Sequence, residues 1–183
     1  MAENNDLILE IGCGNIKDYA DSICLDIRLT NKVDVLADAR HLPFIEGCFS
    51  LVYSSHTIEH FSHREQTRVL TEWIRVLHEG GKLEIKCPDL RARALIFAIR
   101  PSQRDVSNIY GEQDYDENFH KCGYSFGLLR ESLNRLGIQG VRRVFRGHGL
   151  IPFIPDCLHI KGTKGPPRVR KKTDTSKMGG GLT

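Results

Sequence analysis

Short apolar segments, separated by polar and glycine-rich stretches, run through the first half of the chain. Five of them predict β-strands, at residues 7–11, 22–27, 33–37, 49–55 and 82–87. The first four are too apolar to have one solvent-exposed face. The pattern therefore predicts a parallel sheet that is covered on both sides.

Apolar residues at helical spacing predict helices between the fourth and fifth strands and after the fifth. Apolar side chains recur at helical spacing within residues 64–78, and Gly80-Gly81 is predicted to end that helix. Asp89 is the predicted N-cap of a second helix, and Ser125 that of a third helix that runs to Leu136. Residues 101–122 are polar and predict an irregular lid, whereas residues 141–145 and 158–163 predict a terminal strand pair.

Strands that alternate with helices and end in a strand pair predict an α/β fold. We expect a three-layer sandwich whose sheet is mostly parallel, with a C-terminal antiparallel strand pair. A chain of 183 residues is long enough for one domain with a sizeable core. We assign residues 1–163 to this domain, with a lid insertion at about 100–124, and predict that residues 164–183 form a disordered basic tail.

Charge and composition exclude several classes of function. The net charge is +3, but the last 23 residues carry seven Lys or Arg and one Asp, so the body is mildly acidic and nucleic acid is not an expected partner. No apolar run approaches the ~18 residues of a membrane span, and the N-terminus lacks the features of a signal peptide. The six cysteines form no C-x-x-C pair, which is typical of a reducing compartment. We predict a cytoplasmic protein without a membrane span.

Small and acidic residues at the ends of the first four strands form the candidate binding site. Ligands of open α/β sheets bind beyond the carboxyl ends of the strands, where this chain has Glu10-Ile-Gly12-Cys13-Gly14, Asp26, Asp38-Ala39 and Ser54-Ser55-His56. The G-x-G-x-x-G fingerprint of dinucleotide-binding folds is incomplete, because Lys17 replaces the third glycine. Asp26 follows Gly14 by only 12 residues, against about 20 in that fold. A nicotinamide dinucleotide is therefore disfavoured.

Six segments occur in the order and spacing of a known family. EIGCGN, CLDI, VLADARHLPF, FSLVYSSHTIEHF, EWIRVLHEGGKLEIKCPDL and FHKCGYS resemble the type 11 branch of the class I S-adenosylmethionine-dependent methyltransferases. The resemblance covers residues 7–163 and is nearest to short forms that lack N-terminal helices. It implies a Rossmann-like methyltransferase sheet, S-adenosylmethionine as cofactor and methyl transfer as the activity.

The resemblance also implies roles for the residues at the strand ends. Glu10, Gly12, Cys13 and Gly14 would shape the pocket for the methionine end of the cofactor, and Ser54 would line it. Asp26 would accept hydrogen bonds from the ribose hydroxyls. The adenine ring would lie against a further group of residues: Ile27, Asp38, Ala39 and Leu42 with Pro43.

The segment His56-Thr-Ile-Glu59-His60 matches the H-x-x-E-H pattern of one class of zinc proteases. Its place at a strand end, with no further ligand at a reliable spacing, disfavours a protease. One remaining interpretation is the start of a helical turn, where Glu59 favours the positive helix end. The other follows from a resemblance to small-RNA 2′-O-methyltransferases and ubiquinone-pathway O-methyltransferases, whose Glu-x-x-Glu-His segment binds metal. It implies a transition-metal site at His56, Glu59 and His60, with His120 as a fourth ligand; we predict no metal and keep that site as the alternative.

Methyl transfer from a sulfonium is an in-line displacement, so the protein mainly aligns the acceptor and excludes water. A hydroxyl acceptor also needs a general base, for which His120 is the first candidate and His56 the second. The predicted acceptor is a small molecule or glycan, methylated on oxygen or nitrogen. A homodimer is also possible, in which a second subunit would complete the site. Further candidates for the acceptor pocket lie in the lid: Tyr110, Asn118, Lys121 and Tyr124. The alternative function is a non-catalytic S-adenosylmethionine-binding scaffold or regulatory protein.

Overall fold

The computed structural model describes residues 6–144 and 157–166. One sheet runs through these residues, built from β1 (Ile8–Ile11), β2 (Ile23–Asp26), β3 (Val35–Leu36), β4 (Phe49–Ser55), β5 (Leu77–Pro88), β6 (Ile138–Arg143) and β7 (Cys157–Lys164). The strand order is β3-β2-β1-β4-β5-β7-β6. The chain moves outward from β1 to β3 and then returns to the other side of β1. The strand order therefore reverses between β1 and β4, where such sheets bind their ligands.

The direction of the strands agrees with the apolar pattern. β1 pairs in parallel with β2 and β4, and β4 pairs in parallel with β5. β7 runs antiparallel to both of its neighbours, β5 and β6. Leu9 and Ile11 of the central strand are buried, as expected for a sheet flanked by helices. The predicted fold class is confirmed.

Helices α1 (Gln66–Arg75), α2 (Leu90–Ile99), α3 (Gln103–Tyr110) and α4 (Phe126–Arg135) accompany the sheet, together with a 3₁₀ turn at Ile58–His60. The apolar stripe of α1 is buried in the core. Asp89 caps α2 as predicted, since its Oδ1 accepts hydrogen bonds from the backbone N–H groups of Arg91 and Ala92. Ser125 precedes α4, but its hydroxyl makes no capping hydrogen bond.

The predicted end of α1 at Gly80-Gly81 is wrong. α1 ends at Arg75 and β5 begins at Leu77, so both glycines lie inside the strand. Leu77 pairs with Phe49 of β4 and is fully buried. An apolar residue can satisfy the core from a helix or from a strand, so periodicity alone did not separate the two elements.

Three other features differ from the sequence-based expectations. The lid contains α3, whose N-cap Ser102 accepts a hydrogen bond from the backbone N–H of Asp105, so the segment is partly regular. β6 begins at Ile138, earlier than residue 141. Lys164, the first residue assigned to the tail, ends β7, and its ammonium group donates to the carbonyl of Leu77 at 2.6 Å. Residues 167–183 of the tail lie outside the described residues, as does residue 145.

Trp73 connects the hydrophobic core to the edge of the sheet where the site lies. The side chain is fully buried on α1, and its Nε1–H donates to the carbonyl of Ala39 at 3.0 Å. That bond fixes the turn after β3, where Asp38 and Ala39 lie. None of the helices in the described segments is long and apolar enough to cross a membrane.

Candidate functional site

Two adjoining cavities open at the carboxyl ends of β1, β2 and β4. The first, here the Asp26 cavity, has a volume of about 190 Å³ and is lined by five of the predicted cofactor residues: Gly12, Asp26, Ile27, Asp38 and Ala39. The second, here the Glu10 cavity, measures about 380 Å³ and is lined by residues that include Glu10, Gly12 and Cys13. Both cavities share Gly12 and His56. Together they form a bent cleft at the strand-order reversal.

Gly12 is the position where the site requires a glycine. Its φ is +72°, and a Cβ there would lie 2.0 Å from the Thr57 hydroxyl oxygen. Thr57 is held in place because its hydroxyl donates to the carbonyl of Ile11 at 3.1 Å. The turn after β1 therefore packs directly on the segment after β4, with no space for a side chain.

Asp26 holds the glycine turn as well as lining the cavity. The side chain is nearly buried; its Oδ2 accepts from the backbone N–H of Gly14 at 2.9 Å, and its Oδ1 accepts from that of Arg28 at 2.8 Å. Each carboxylate oxygen has a further lone pair for a ligand hydroxyl. Gly14 is not on the cavity wall and acts on the site through Asp26.

Asp38 forms an ion pair with Arg40, a residue that was not among those predicted from the sequence. The Arg40 guanidinium donates to Asp38 through Nε and Nη2, at 2.9 and 2.7 Å, and reaches Glu65 on its other side at 3.1 Å. Hydrogen bonds from Arg40 lower the pKa of Asp38, outweighing the effect of burial. Asp38 is therefore a charged acceptor near neutral pH, with part of its capacity already used by Arg40.

Glu10 holds the loop after β1 in place through hydrogen bonds that its carboxylate accepts. It is 2% exposed, and its Oε1 accepts from the backbone N–H of Tyr19 and from the hydroxyl of Ser22, each at 2.6 Å. Its Oε2 accepts from the backbone N–H of Asp18 at 2.9 Å. Cys13 lies on the same cavity, and burial raises the pKa of its thiol to about 12, so the thiol is neutral. Glu10 thus shapes the Glu10 cavity through the loop that it holds.

Three predicted cofactor residues do not line either cavity: Gly14, described above, Leu42 and Ser54. Leu42 is buried in the hydrophobic core, and its backbone N–H donates to Glu72 of α1 at 2.8 Å. Ser54 is fully buried in β4, and its hydroxyl has no hydrogen-bond partner among residues 6–144 and 157–166. Leu42 therefore packs in the core against α1, and its predicted contact with adenine has no support from the cavity lining.

His56 lies at the junction of the two cavities with an unusual backbone. Its φ is +54°, a left-handed conformation that costs a residue with a Cβ about 1–2 kcal/mol. The neighbouring Cys157 thiol, 3.7 Å from Nε2, and the Glu59 carboxylate, 3.2 Å from Nδ1, raise the pKa of His56 to about 10. The imidazole is therefore protonated near neutral pH and does not meet the requirement for a general base.

His120 lies apart from the bent cleft. It lines a third and much smaller cavity together with Glu59, here the Glu59 cavity. Burial lowers the pKa of His120, so its imidazole is neutral. A general base must reach the acceptor proton, and His120 lies beside the bent cleft and does not line it. Of the two predicted bases, His56 is on the cleft but protonated and His120 is neutral but set back from it, so both roles stay predictions.

The lid contributes side chains that sequence reasoning only partly identified. Tyr115 and Glu117 line the Asp26 cavity, as does Lys121, one of the predicted pocket residues. The Arg28 guanidinium stacks over the Tyr115 ring at 4.2 Å and joins the turn after β2 to the lid. The sequence around Tyr115 has no periodic pattern from which one could predict that this side chain faces the cavity. Tyr124, by contrast, is buried in the core.

Comparison with known proteins finds similarity to methyltransferases. A family model for a methyltransferase domain, type 11, matches residues 9–85, which include β1 to β4 and most of β5. A protein of Encephalitozoon cuniculi that is provisionally named a methyltransferase is 33% identical over 123 residues, which are 60% of this chain and 55% of the relative. The chain thus spans about half the length of that curated relative.

Solved structures share the architecture. A SAM-dependent methyltransferase from Archaeoglobus fulgidus has a TM-score of 0.59 at 18% identity, with 86% of each chain covered. The Burkholderia thailandensis 1,6-didemethyltoxoflavin-N1-methyltransferase, solved with 1,6-didemethyltoxoflavin and S-adenosylhomocysteine, has a TM-score of 0.59 at 13% identity over 87% of this chain and 71% of its own. Likeness at such identities shows a common fold. The matched family model adds that residues 9–85 are similar in sequence to a methyltransferase domain of type 11.

Proposed function

We propose that the protein is an S-adenosylmethionine-dependent methyltransferase that acts on a small-molecule or glycan-type acceptor, at oxygen or nitrogen. The observation that carries the proposal is the position of Asp26. It is a nearly buried carboxylate on the cavity at the strand-order reversal of a methyltransferase domain, anchored to the glycine turn. The S-adenosylhomocysteine bound to the Burkholderia thailandensis neighbour supports the choice of cofactor.

In this proposal the adenosine occupies the Asp26 cavity. Asp26 accepts the ribose hydroxyls, and Asp38 accepts the adenine amino group beside Ile27 and Ala39. The methionine end extends past Gly12 into the Glu10 cavity. Lys86 lines that cavity and supplies a positive charge for the methionine carboxylate. His56 lies where the two cavities meet, so its charge is near the reacting centre.

The methyl transfer needs no covalent intermediate with the protein, because the cofactor carries the activated methyl group. A lone pair of the acceptor attacks the methyl carbon as the carbon–sulfur bond breaks, and the electron pair of that bond stays on sulfur to give S-adenosylhomocysteine. The chain aligns the two molecules and excludes water. Because neither His56 nor His120 meets the requirements for a general base, we assign no side chain to that role. The acceptor proton passes to solvent.

Replacing Asp26 tests the cofactor site. We expect Asp26→Asn to weaken S-adenosylmethionine binding by about 10- to 100-fold, or 1–3 kcal/mol, because a neutral amide replaces a charge-assisted acceptor. Isothermal titration calorimetry of the full chain with S-adenosylmethionine and S-adenosylhomocysteine measures the effect. Asp21→Asn, an exposed aspartate before β2, is the matched control and should bind as the parent does. Equal affinity in parent and Asp26→Asn would remove Asp26 from the site.

Labelled methyl transfer tests the reaction itself. We expect methyl-labelled S-adenosylmethionine to label at least one member of a panel of amines, phenols, sugar alcohols and glycans, because the cleft holds both substrates in line. Asp26→Asn should lower kcat/KM on that acceptor in parallel with the cofactor affinity. Mass spectrometry of the products locates the methylated atom.

A non-catalytic cofactor-binding scaffold remains the second candidate. It is favoured by one observation: of the two predicted bases, His56 lies on the bent cleft but is protonated, and His120 is neutral but does not line the cleft. Tight binding of S-adenosylmethionine without transfer to any acceptor of the panel would support the scaffold. Transfer to any of them excludes it.

A further inference from the structure

We propose that Glu59, His60 and His120 bind a divalent transition-metal ion, with zinc as the best chemical fit. The three side chains place their ligand atoms within 4.8 Å of one another. Two belong to the 3₁₀ turn after β4 and the third to the lid. The proposal goes beyond methyl transfer and does not depend on it.

Glu59 is the first argument for an ion. It is 1% exposed, and no described residue donates a well-oriented hydrogen bond to either oxygen of its carboxylate. His56 Nδ1 lies 3.2 Å from Oε1 as an ion pair, which leaves Oε2 without a partner among the described residues. Burying a carboxylate without hydrogen bonds costs several kcal/mol. A bound cation removes that cost by coordinating the carboxylate.

The two histidines are already oriented as metal ligands. His60 Nδ1 lies 3.2 Å from the carbonyl oxygen of Phe119, and His120 Nδ1 lies 3.2 Å from that of Ile109. A carbonyl only accepts, so each Nδ1 carries the proton and each Nε2 keeps its lone pair. Ligating histidines commonly donate their second nitrogen to a backbone carbonyl in this way. The two rings meet edge to face, with centroids 5.1 Å apart.

The ligand set selects the class of metal. Two imidazoles and one carboxylate suit zinc and its neighbours, whereas magnesium and calcium prefer shells made of oxygen. Neighbouring ligand atoms of a tetrahedral zinc shell are about 3.3 Å apart, so these atoms, now within 4.8 Å of one another, would have to move closer as an ion binds. The Glu59 cavity, lined by Glu59 and His120, has a volume of about 10 Å³, which is near the size of one ion or water. Three protein ligands leave a fourth position open.

A metal here would join the lid to the floor of the site. The carbonyl of Glu59 already accepts from the backbone N–H groups of Lys121 at 2.8 Å and Cys122 at 3.1 Å. A bond from the ion to His120 adds a side-chain link at the same place. His60 also lines the Asp26 cavity, so the ion would lie beside the proposed cofactor site. Two cationic side chains, His56 and Arg93, adjoin the cluster, and the ion would replace the His56 pair at Oε1.

Zinc binding to the metal-stripped full chain, without S-adenosylmethionine, tests the site. We expect one zinc ion per chain by calorimetry against a competing chelator, and a rise in thermal melting temperature as the lid is fixed. Cobalt substituted for zinc should give the intense visible absorption of a four-coordinate ion. His120→Ala should weaken zinc binding at least 100-fold and Glu59→Gln at least tenfold, since each removes a ligand.

The matched control is His63→Ala, an exposed histidine three residues after His60, which should bind zinc as the parent does. Circular dichroism confirms that each variant is folded, and His120→Asn replaces His120→Ala if the alanine variant is not. No stoichiometric zinc in the parent overturns the site, as does unchanged affinity in the His120 variant or equal binding of magnesium. Because the titration contains no cofactor, its failure leaves the methyltransferase proposal to its own test.

Discussion

Gly12→Ala is expected to weaken S-adenosylmethionine binding at least 100-fold and to lower the free energy of unfolding by about 2–5 kcal/mol. Two effects add. The left-handed backbone costs a Cβ-bearing residue about 1–2 kcal/mol, and forcing a methyl group into a packed contact costs about 1–3 kcal/mol. The added Cβ would lie 2.0 Å from the Thr57 hydroxyl, so the turn must move. Because Gly12 lines both cavities, that movement changes the whole binding surface.

Gly14→Ala is the matched control for this prediction. Gly14 also has a positive φ, +54°, but a Cβ there would lie 3.7 Å from its nearest neighbour, an Arg28 nitrogen. It should therefore lose only the 1–2 kcal/mol of backbone strain. Thr57→Gly in the Gly12→Ala background removes the clashing atoms and should recover part of the stability. Equal losses in the two alanine variants, measured by denaturant unfolding, would contradict the packing argument.

Glu84→Gln is expected to lower the free energy of unfolding by about 3 kcal/mol near neutral pH. Glu84 is buried on β5, where His159 Nε2 lies 2.5 Å from Oε1 and Lys161 Nζ lies 2.8 Å from Oε2. Burial alone raises the pKa of Glu84, but the bonds from His159 and Lys161 outweigh it and lower the pKa to about 2 from 4.5. That difference corresponds to about 3 kcal/mol of stability. The Tyr19 hydroxyl also donates to Oε2, which links the pair to the loop that Glu10 holds.

The pH dependence follows from the lowered pKa. The contribution of Glu84 is complete above about pH 4.5 and is lost as the pH falls toward 2, because the unfolded carboxyl takes up its proton first. The difference between the parent and Glu84→Gln should therefore shrink over that range in urea unfolding. Glu79→Gln, an exposed residue of the same strand, serves as the control and should change stability by less than about 0.5 kcal/mol. A loss in Glu84→Gln that is independent of pH would show that packing, not charge, holds β5 to β7.

Most of the sheet was predictable from the sequence because its strands are short, apolar and separated by turn residues. β1, β2 and β4 begin and end within one residue of the predicted bounds. The junction of α1 and β5 was not predictable, since Val76 and Leu77 are fully buried and continue the apolar pattern of the helix. What ends α1 is pairing of Leu77 with Phe49, a contact between distant segments.

Much of the cavity lining was also predictable, because it follows from where the strands end. Parallel strands bring their carboxyl ends to one edge, so residues that follow the strands meet there, and five predicted cofactor residues line the Asp26 cavity. Leu42 does not line that cavity, because it packs in the core beside α1. Arg40 was missed because its partners Asp38 and Glu65 lie on different segments, which a linear pattern does not bring together.

The sequence by itself determined the α/β class, the parallel sheet and the acidic and glycine residues at its carboxyl edge. Local propensity and apolar periodicity are short-range properties, and they fix which residues end each strand. Only the tertiary structure decided which side chains then meet. It placed His56 between Glu59 and Cys157, 101 residues away, and so set its charge. It also brought His120 of the lid to Glu59 and His60, because the packing of irregular segments depends on long-range contacts that no periodic pattern encodes.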